Sequence, residues 1–211
     1  GTELRFNDAV FDTIIASLEA GTNDIIISSM SDTVERQAKV DFVDYNVGGS
    51  QMIVLKGNPE GITGAADLCG KTVIVQNGTI QIDLVAGMSD DCVAAGSDAI
   101  TITQLPDAPS MQNALRAKQG DAVMLDSLVA QDSARKAGNG EYFEVVNDPA
   151  NPVYDAGLVG IAILKKDTVL RDAIQAALQS LIDDGQYAAL LEKWGMSANG
   201  VTSATINGTT E

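Results

Sequence analysis

Apolar residues recur along the chain with two alternating periods, one helical and one strand-like. Phe11, Ile14, Ile15 and Leu18 fall at i, i+3, i+4 and i+7, which predicts a helix that Gly21 stops. Ile25, Ile26 and Ile27 then form a β-branched run, predicting a short buried strand over 24–28. A second helix is predicted to begin near 31–33, with Asp32 and Glu35 spaced as a capping pair. Residues 40–42 and 51–55 read as two strands. The cluster Gly57-Asn58-Pro59-Glu60-Gly61 reads as a turn.

Beyond that turn the pattern becomes regular. Strands are predicted over 72–75, 100–104, 122–125 and 143–146, with helices over 80–87, 111–118 and 128–137 between them. Such alternation implies βαβ units and a mostly parallel sheet. An apolar strand over 158–164 follows Asn147-Asp148-Pro149. Two closing helices carry Leu170, Ile174, Leu178 and Leu181 on one and Tyr187, Leu190, Leu191 and Trp194 on the other, punctuated by Gly185 and Gly195. The tail 197–211 is polar and predicted to wrap the surface.

Composition narrows the chemistry. The 211 residues carry 13 Lys and Arg against 29 Asp and Glu, a formal charge of −16. That balance argues against nucleic acid as a partner and against an anionic membrane surface, since both need a basic footprint. The acids are spread along the chain, so they act in solubility rather than as a partner signal. Histidine is absent. Ser-His-Asp and Cys-His nucleophile systems and a His-ligated zinc are thereby excluded. No metal or cofactor is called for, and no stretch approaches the ~20 apolar residues of a membrane span. The two cysteines, Cys69 and Cys92, fit one disulfide made in an oxidising compartment; two buried free thiols are the alternative.

Three strand ends carry polar residues, and in open α/β sheets ligands gather beyond such ends. The first is Ser28-Ser29-Met30-Ser31-Asp32-Thr33-Val34-Glu35-Arg36, a run of hydroxyls followed by an arginine able to clamp a carboxylate. Ser capping with a surface arginine paired to Glu35 or Asp32 is the plainer reading. The second is Gln76-Asn77-Gly78-Thr79-Ile80-Gln81, a strand running through a Gly turn into a helix start, which favours anions but lacks any phosphate-loop or dinucleotide spacing. The third ends at Asp126, either a helix N-cap or an acceptor for a ligand ammonium. A guanidinium on one unit and a carboxylate on another would together clamp a zwitterion. Phe11 offers a stacking face, or a core contact.

These residues resemble the polar amino-acid family of extracytoplasmic solute-binding proteins, the capture subunits of ABC importers. The stretch 28–36 followed by Val40-Asp41-Phe42 is similar to the family's Ser-Gly/Ser-Met-Ser/Thr-x-Thr-x-Glu-Arg…Val-Asp-Phe-Ser signature. Gly70-Lys71-Thr72-Val73…Gly78-Thr79 resembles the start of the second lobe. Asp183-Asp184-Gly185-Gln186-Tyr187…Lys193-Trp194-Gly195 resembles the family's C-terminal motif. The resemblance implies an α/β, two-lobed, type II periplasmic-binding-protein fold. Each lobe would be a mostly parallel sheet flanked by helices, with lobe 1 over 1–48 and 160–211, lobe 2 over 51–156, and two hinge crossings near 48–51 and 156–160. It implies that Arg36 binds a ligand α-carboxylate with help from Ser31, Ser29 and Thr79. Asp126 would take the α-ammonium and Phe11 would cover the side chain, while Ser28, Gln76 and Gln81 tune selectivity.

The implied function is capture of a free, polar amino acid without chemistry, outside the cytoplasm (periplasm, or cell surface as a lipoprotein), for delivery to an ABC permease. Two departures bear on it. Ile80 stands where the family often has a second hydroxyl. The opening Gly1-Thr2-Glu3-Leu4-Arg5-Phe6 resembles the family's second strand, with no counterpart here of the first strand, ligand-contacting loop and helix. Weak binding, instability or edge pairing between copies is the expected consequence. A dehydratase-type enzyme on the same fold, a sensor domain and a purely structural fragment are the competing functions. An enzyme would need a positioned acid or base, for which Asp126 is the available candidate.

Overall fold

The computed structural model describes residues 3–210, which form two compact units. Unit 1 comprises 13–48 and 157–210, together with the opening residues up to 9; unit 2 comprises 10–12 and 49–156. Apart from the short excursion at 10–12, the chain passes from unit 1 to unit 2 inside one strand and returns inside another.

Unit 2 is built as the regular alternation demands. Strands β3 (Thr72–Gln76), β4 (Thr101–Leu105) and β5 (Ala122–Asp126) pair in parallel in the order β4-β3-β5. Helices α3 (Gln81–Ala94), α4 (Ala108–Arg116) and α5 (Ser127–Lys136) connect them. Strand β2 (Val40–Leu55) lies antiparallel to β5, and the short β6 (Phe143–Val145) pairs antiparallel with β2. The sheet is buried on both faces, because successive strand residues point to opposite sides. Val73 and Val75 join Met52, Ile62, Leu68, Val85 and Cys92 in one core; Ile74 joins Ile53, Met111, Leu115, Val123 and Phe143 in the other. The predicted 40–42 and 51–55 are one strand of sixteen residues, continuous through Gly48 and Gly49. Gly49 is required there, since a Cβ would fall 2.4 Å from Val153 Cγ1.

In unit 1, β1 (Ile25–Ser31) pairs antiparallel with β7 (Tyr154–Leu164), which neighbours β2. The mostly parallel pairing expected of each unit therefore holds only for β4-β3-β5: β2 pairs antiparallel with β5 and β6 in unit 2, and β1 antiparallel with β7 here, so the sheet is mixed. β7 comes back from unit 2 and runs against β1, so the helical crossover that makes a parallel pair is missing. Leu18, Ile26, Met30, Phe42, Val43, Val159 and Ile163 are buried. Helices α1 (Ile14–Glu19), α6 (Thr168–Asp183) and α7 (Gln186–Trp194) flank the strands, beside the short α2 (Val34–Gln37). Neither α6 nor α7 has a fully buried residue, and Trp194 is 65% exposed. Their apolar periodicity was a correct guide to helix and an incomplete one to core. Residues 3–10 form no strand, and Leu4 and Phe6 are exposed, so the strand expected over the opening is absent among the described residues; Gly1 and Thr2 lie outside them.

The polar tail is bound tightly. Ile206 bridges Val43, Asp44 N–H donates to Thr205 O, and Asn207 N–H donates to Phe42 O. Asp41 closes this corner, accepting from Lys165 Nζ at 3.1 Å, Arg171 Nη1 at 2.7 Å and Asn207 Nδ2 at 3.0 Å. Burial would raise its pKa, but the hydrogen bonds from Asn207, Arg171 and Lys165 outweigh that and hold it below the ordinary carboxylate value. A depressed folded-state pKa stabilises above the unfolded value and is lost as pH falls through the folded one. Melts of Asp41→Asn and wild type should therefore converge on acidification and separate at neutral pH.

In unit 2, Cys69 and Cys92 are joined by a disulfide with Cα atoms 5.5 Å apart. It ties the turn before β3 to the end of α3.

Candidate functional site

In unit 1 the candidate residues gather at the end of β1. Between Ile26 and Met30 the register against β7 shifts, with three residues of β1 opposite one of β7. Ser29 takes φ +45° within this bulge, and Ser28 is exposed. A bulge re-aims side chains at a strand end, which an unbroken pleat would alternate in and out. Thr33, not Asp32, caps α2: its Oγ1 accepts from Arg36 N–H at 3.3 Å. The Asp32–Glu35 capping pair is thus corrected. Asp32 is buried and turned inward, where Gln37 Nε2 at 2.8 Å and Thr209 N–H at 3.2 Å satisfy it.

This capping turn aims Arg36 back along the motif, where Nη1 donates to Ser31 O at 3.0 Å. The guanidinium is partly buried. Desolvation lowers its pKa, offset in part by Glu35, while arginine remains cationic at neutral pH. A cation held partly out of water beside a hydroxyl-rich bulge is arranged for an anion. The bridge to Asp32 that the plainer reading supposed is absent among the described ion pairs.

In unit 2 a second group forms around the β3–α3 turn. Gly78 has φ +72°, and a Cβ there would fall 2.7 Å from Asp12 Cα. The turn thus packs on Asp12, which lies in the 3-10 segment Phe11–Thr13 beside half-buried Phe11. Gly78→Ala should cost unit 2 about 1–3 kcal/mol through backbone strain and clash, read as a lowered thermal midpoint. Thr79 Oγ1 donates to Gln76 O at 2.8 Å, and its N–H reaches the same carbonyl at 3.4 Å. Those donors serve the turn itself. Ile80 stands at the N-cap of α3 and supplies no side-chain cap, while Ile82 N–H donates to Thr79 O at 3.3 Å. Gln76 Nε2 donates to Pro106 O, and buried Gln81 donates to Ser50 Oγ at 2.8 Å. Gln81 is therefore a supporting contact to β2, across from Asp126 in the Ser50–Asp126 register pair.

Asp126 fills the first of the two roles weighed for it. Its Oδ1 caps α5, accepting from Leu128 N–H at 3.0 Å and Val129 N–H at 3.3 Å. Oδ2 takes neither bond. Desolvation raises its pKa, opposed by those two backbone bonds. A partly buried carboxylate with one committed oxygen is suited to a cation. Sequence reading missed Ser50 and the C-terminal strap at Thr209, because their roles arise from contacts 31 to 177 residues away.

Both units and this arrangement define a periplasmic-binding-protein-like α/β fold. An ancestral arginine-binding protein bound to arginine is similar, with TM-score 0.76 and 30% identity over 90% of this chain and 79% of that one. Holo ArgBP from T. maritima gives 0.70 and 31% over 92% and 78%. The chain belongs to the bacterial extracellular solute-binding proteins, family 3, whose sequence profile matches residues 1–197. The arginine-binding protein ArgT of Corynebacterium glutamicum is 34% identical over 98% of this chain and 66% of its own length. The L-cystine-binding protein TcyJ of Escherichia coli K12 is 28% identical over 92% and 68%. The chain spans about two thirds of the length of the curated relatives it matches. These relatives are named as binding proteins, not enzymes. No helix among the described residues is long and apolar enough to cross a membrane.

Proposed function

We propose that this chain is the solute-binding component of an amino-acid ABC importer, working outside the cytoplasm and handing its ligand to a membrane permease. The two units are its lobes, and its ligand is one free polar amino acid. The observation that carries the reading is the Ser28–Arg36 corner, where a bulge, a Thr33 cap and a partly buried guanidinium coincide. Arg36 takes the α-carboxylate, with Ser31, Ser29 and the start of α3 adding donors. Asp126 Oδ2 takes the α-ammonium. Phe11 lies against the ligand side chain, and Ser28 and Gln76 contact it. A ligand shifts such a protein only through contacts it makes better in one conformation than in another.

Relatives named for arginine, cystine and glutamine set the screen. A thermal-shift series over the common amino acids and cystine, followed by calorimetry, should find one ligand class that raises the melting temperature. No shift with any of them would sink the proposal. Because Asp126 must be ionised to hold an ammonium, and burial raises its pKa above 3.8, affinity should fall on acidification earlier than an exposed aspartate would dictate. Calorimetric Kd values in a pH series read this, and Asp126→Asn should flatten the acidic limb while weakening binding.

Self-association would use the outer edge of β1, which pairs with β7 alone among the described strands. Light scattering across a concentration series measures it.

A further inference from the structure

Beneath the Ser31–Arg36 corner lies a buried acidic pair outside the ligand contacts proposed above. Asp44 on β2 is 0% exposed and Asp32, after β1, is 3% exposed. Asp44 Oδ2 accepts from Thr205 Oγ1 at 2.7 Å and Gly208 N–H at 3.0 Å. Its Oδ1 is buried with no donor among the described residues, and Asp32 is its acidic neighbour, the two carboxyls holding the adjacent strap residues Gly208 and Thr209. Asp32 has both oxygens engaged, Oδ1 by Gln37 and Oδ2 by Thr209 N–H. Gln37 Nε2 also donates to Thr209 O at 2.8 Å.

Among the described ion pairs none reaches Asp44. β7 presents Gly160, where a Cβ would stand 3.0 Å from Asp44 Oδ1, and Leu158 lies against Gly208. The strap presents Thr205 and Gly208. On β2 the neighbouring acid is Asp41, which takes the bonds of Lys165 and Arg171. Two neighbouring buried carboxylates cannot both stay charged at modest cost unless a cation pairs with them. A proton on the one unengaged oxygen turns repulsion into a hydrogen bond.

We propose that Asp44 carries a proton on Oδ1 and donates it to Asp32, making the two a one-proton clasp that fastens the strap 205–209 under the corner bearing Ser31 and Arg36. Burial, reinforced by the charge of Asp32, pushes the Asp44 pKa up to about 6 against the bonds from Thr205 and Gly208. A raised folded-state pKa stabilises fully below the unfolded value of 3.8 and is lost as pH rises through about 6. The clasp therefore loosens on alkalinisation, opposite in sign to Asp41. Its influence on ligand affinity rests on the function proposed above; the clasp itself does not.

Amide hydrogen exchange at Gly208 and Thr209, corrected for the intrinsic rate, tests it without any ligand. Wild-type protection should fall about tenfold or more between about pH 5 and 8, while Asp44→Asn, neutral at every pH, should stay protected and flat. A wild-type profile independent of pH overturns the proposal. So does an Asp44→Asn variant that folds but loses strap protection throughout, since that would show the charge of Asp44 holding the strap. Carboxyl carbon NMR on the wild type is the independent reading should the variant not fold. One proton retained by the pair past about pH 5 supports the clasp, and full ionisation of both acids below that overturns it.

Discussion

Arg36→Ala is expected to leave the fold intact and remove most amino-acid binding. Losing one partner of a desolvated charge pair costs about 2–5 kcal/mol, a Kd increase of roughly 30-fold to several thousand-fold. The guanidinium donates to Ser31 O, a bond of about 1 kcal/mol, so part of the loss will appear as stability and must be separated from the loss of affinity. Arg36→Lys keeps the charge and loses the fork, and should fall between. Calorimetry with the ligand found by screening, beside thermal melts of each variant, separates the two effects. Unchanged affinity in Arg36→Ala would count directly against the assignment of the carboxylate.

Breaking the Cys69–Cys92 bridge is the largest stability effect expected. The bridge spans 23 residues of sequence, and closing a loop of that size stabilises by about 3 kcal/mol in the chain-entropy account. Cys92 is also part of the unit 2 core, so Cys69→Ser with Cys92→Ser adds the burial of a hydroxyl there. Cys92→Ala avoids that addition. Reduction and the Cys69→Ser/Cys92→Ala pair should lower the unit 2 transition alike, leaving the Asp41–Arg171 corner of unit 1 unaffected. Equal melting temperatures with and without reductant would show that native packing or residual unfolded structure cancels the loop term.

These two predictions draw on different kinds of legibility. The Arg36 corner could be found in the sequence because everything that builds it is local: bulge, cap and guanidinium fall within nine residues of one another. The strands and helices of unit 2 were readable for the same reason, since β3 and β5 each fill a buried position with an unbroken apolar run between turn residues, while β4 mixes polar and apolar residues at the edge of the sheet. The disulfide lay within reach through cysteine count alone.

Other features were decided at long range. Asp32 has capping spacing, yet Thr33 takes the cap because Asp32 is needed by Thr209, 177 positions later. Thr79 looks like a ligand donor in a list of residues, but the turn uses its hydroxyl first. Asp126 reads equally as cap or ligand group, and the structure shows it as the cap through one oxygen.

What the chain settles by itself is therefore the class of fold and the family motif, because periodicity, turns and caps depend on neighbours in sequence. Which carboxyls are buried together, which donors remain for a guest, and how the tail is fastened were settled by the tertiary structure. Those depend on desolvation and on partners brought from far along the chain, and neither leaves a period in the sequence.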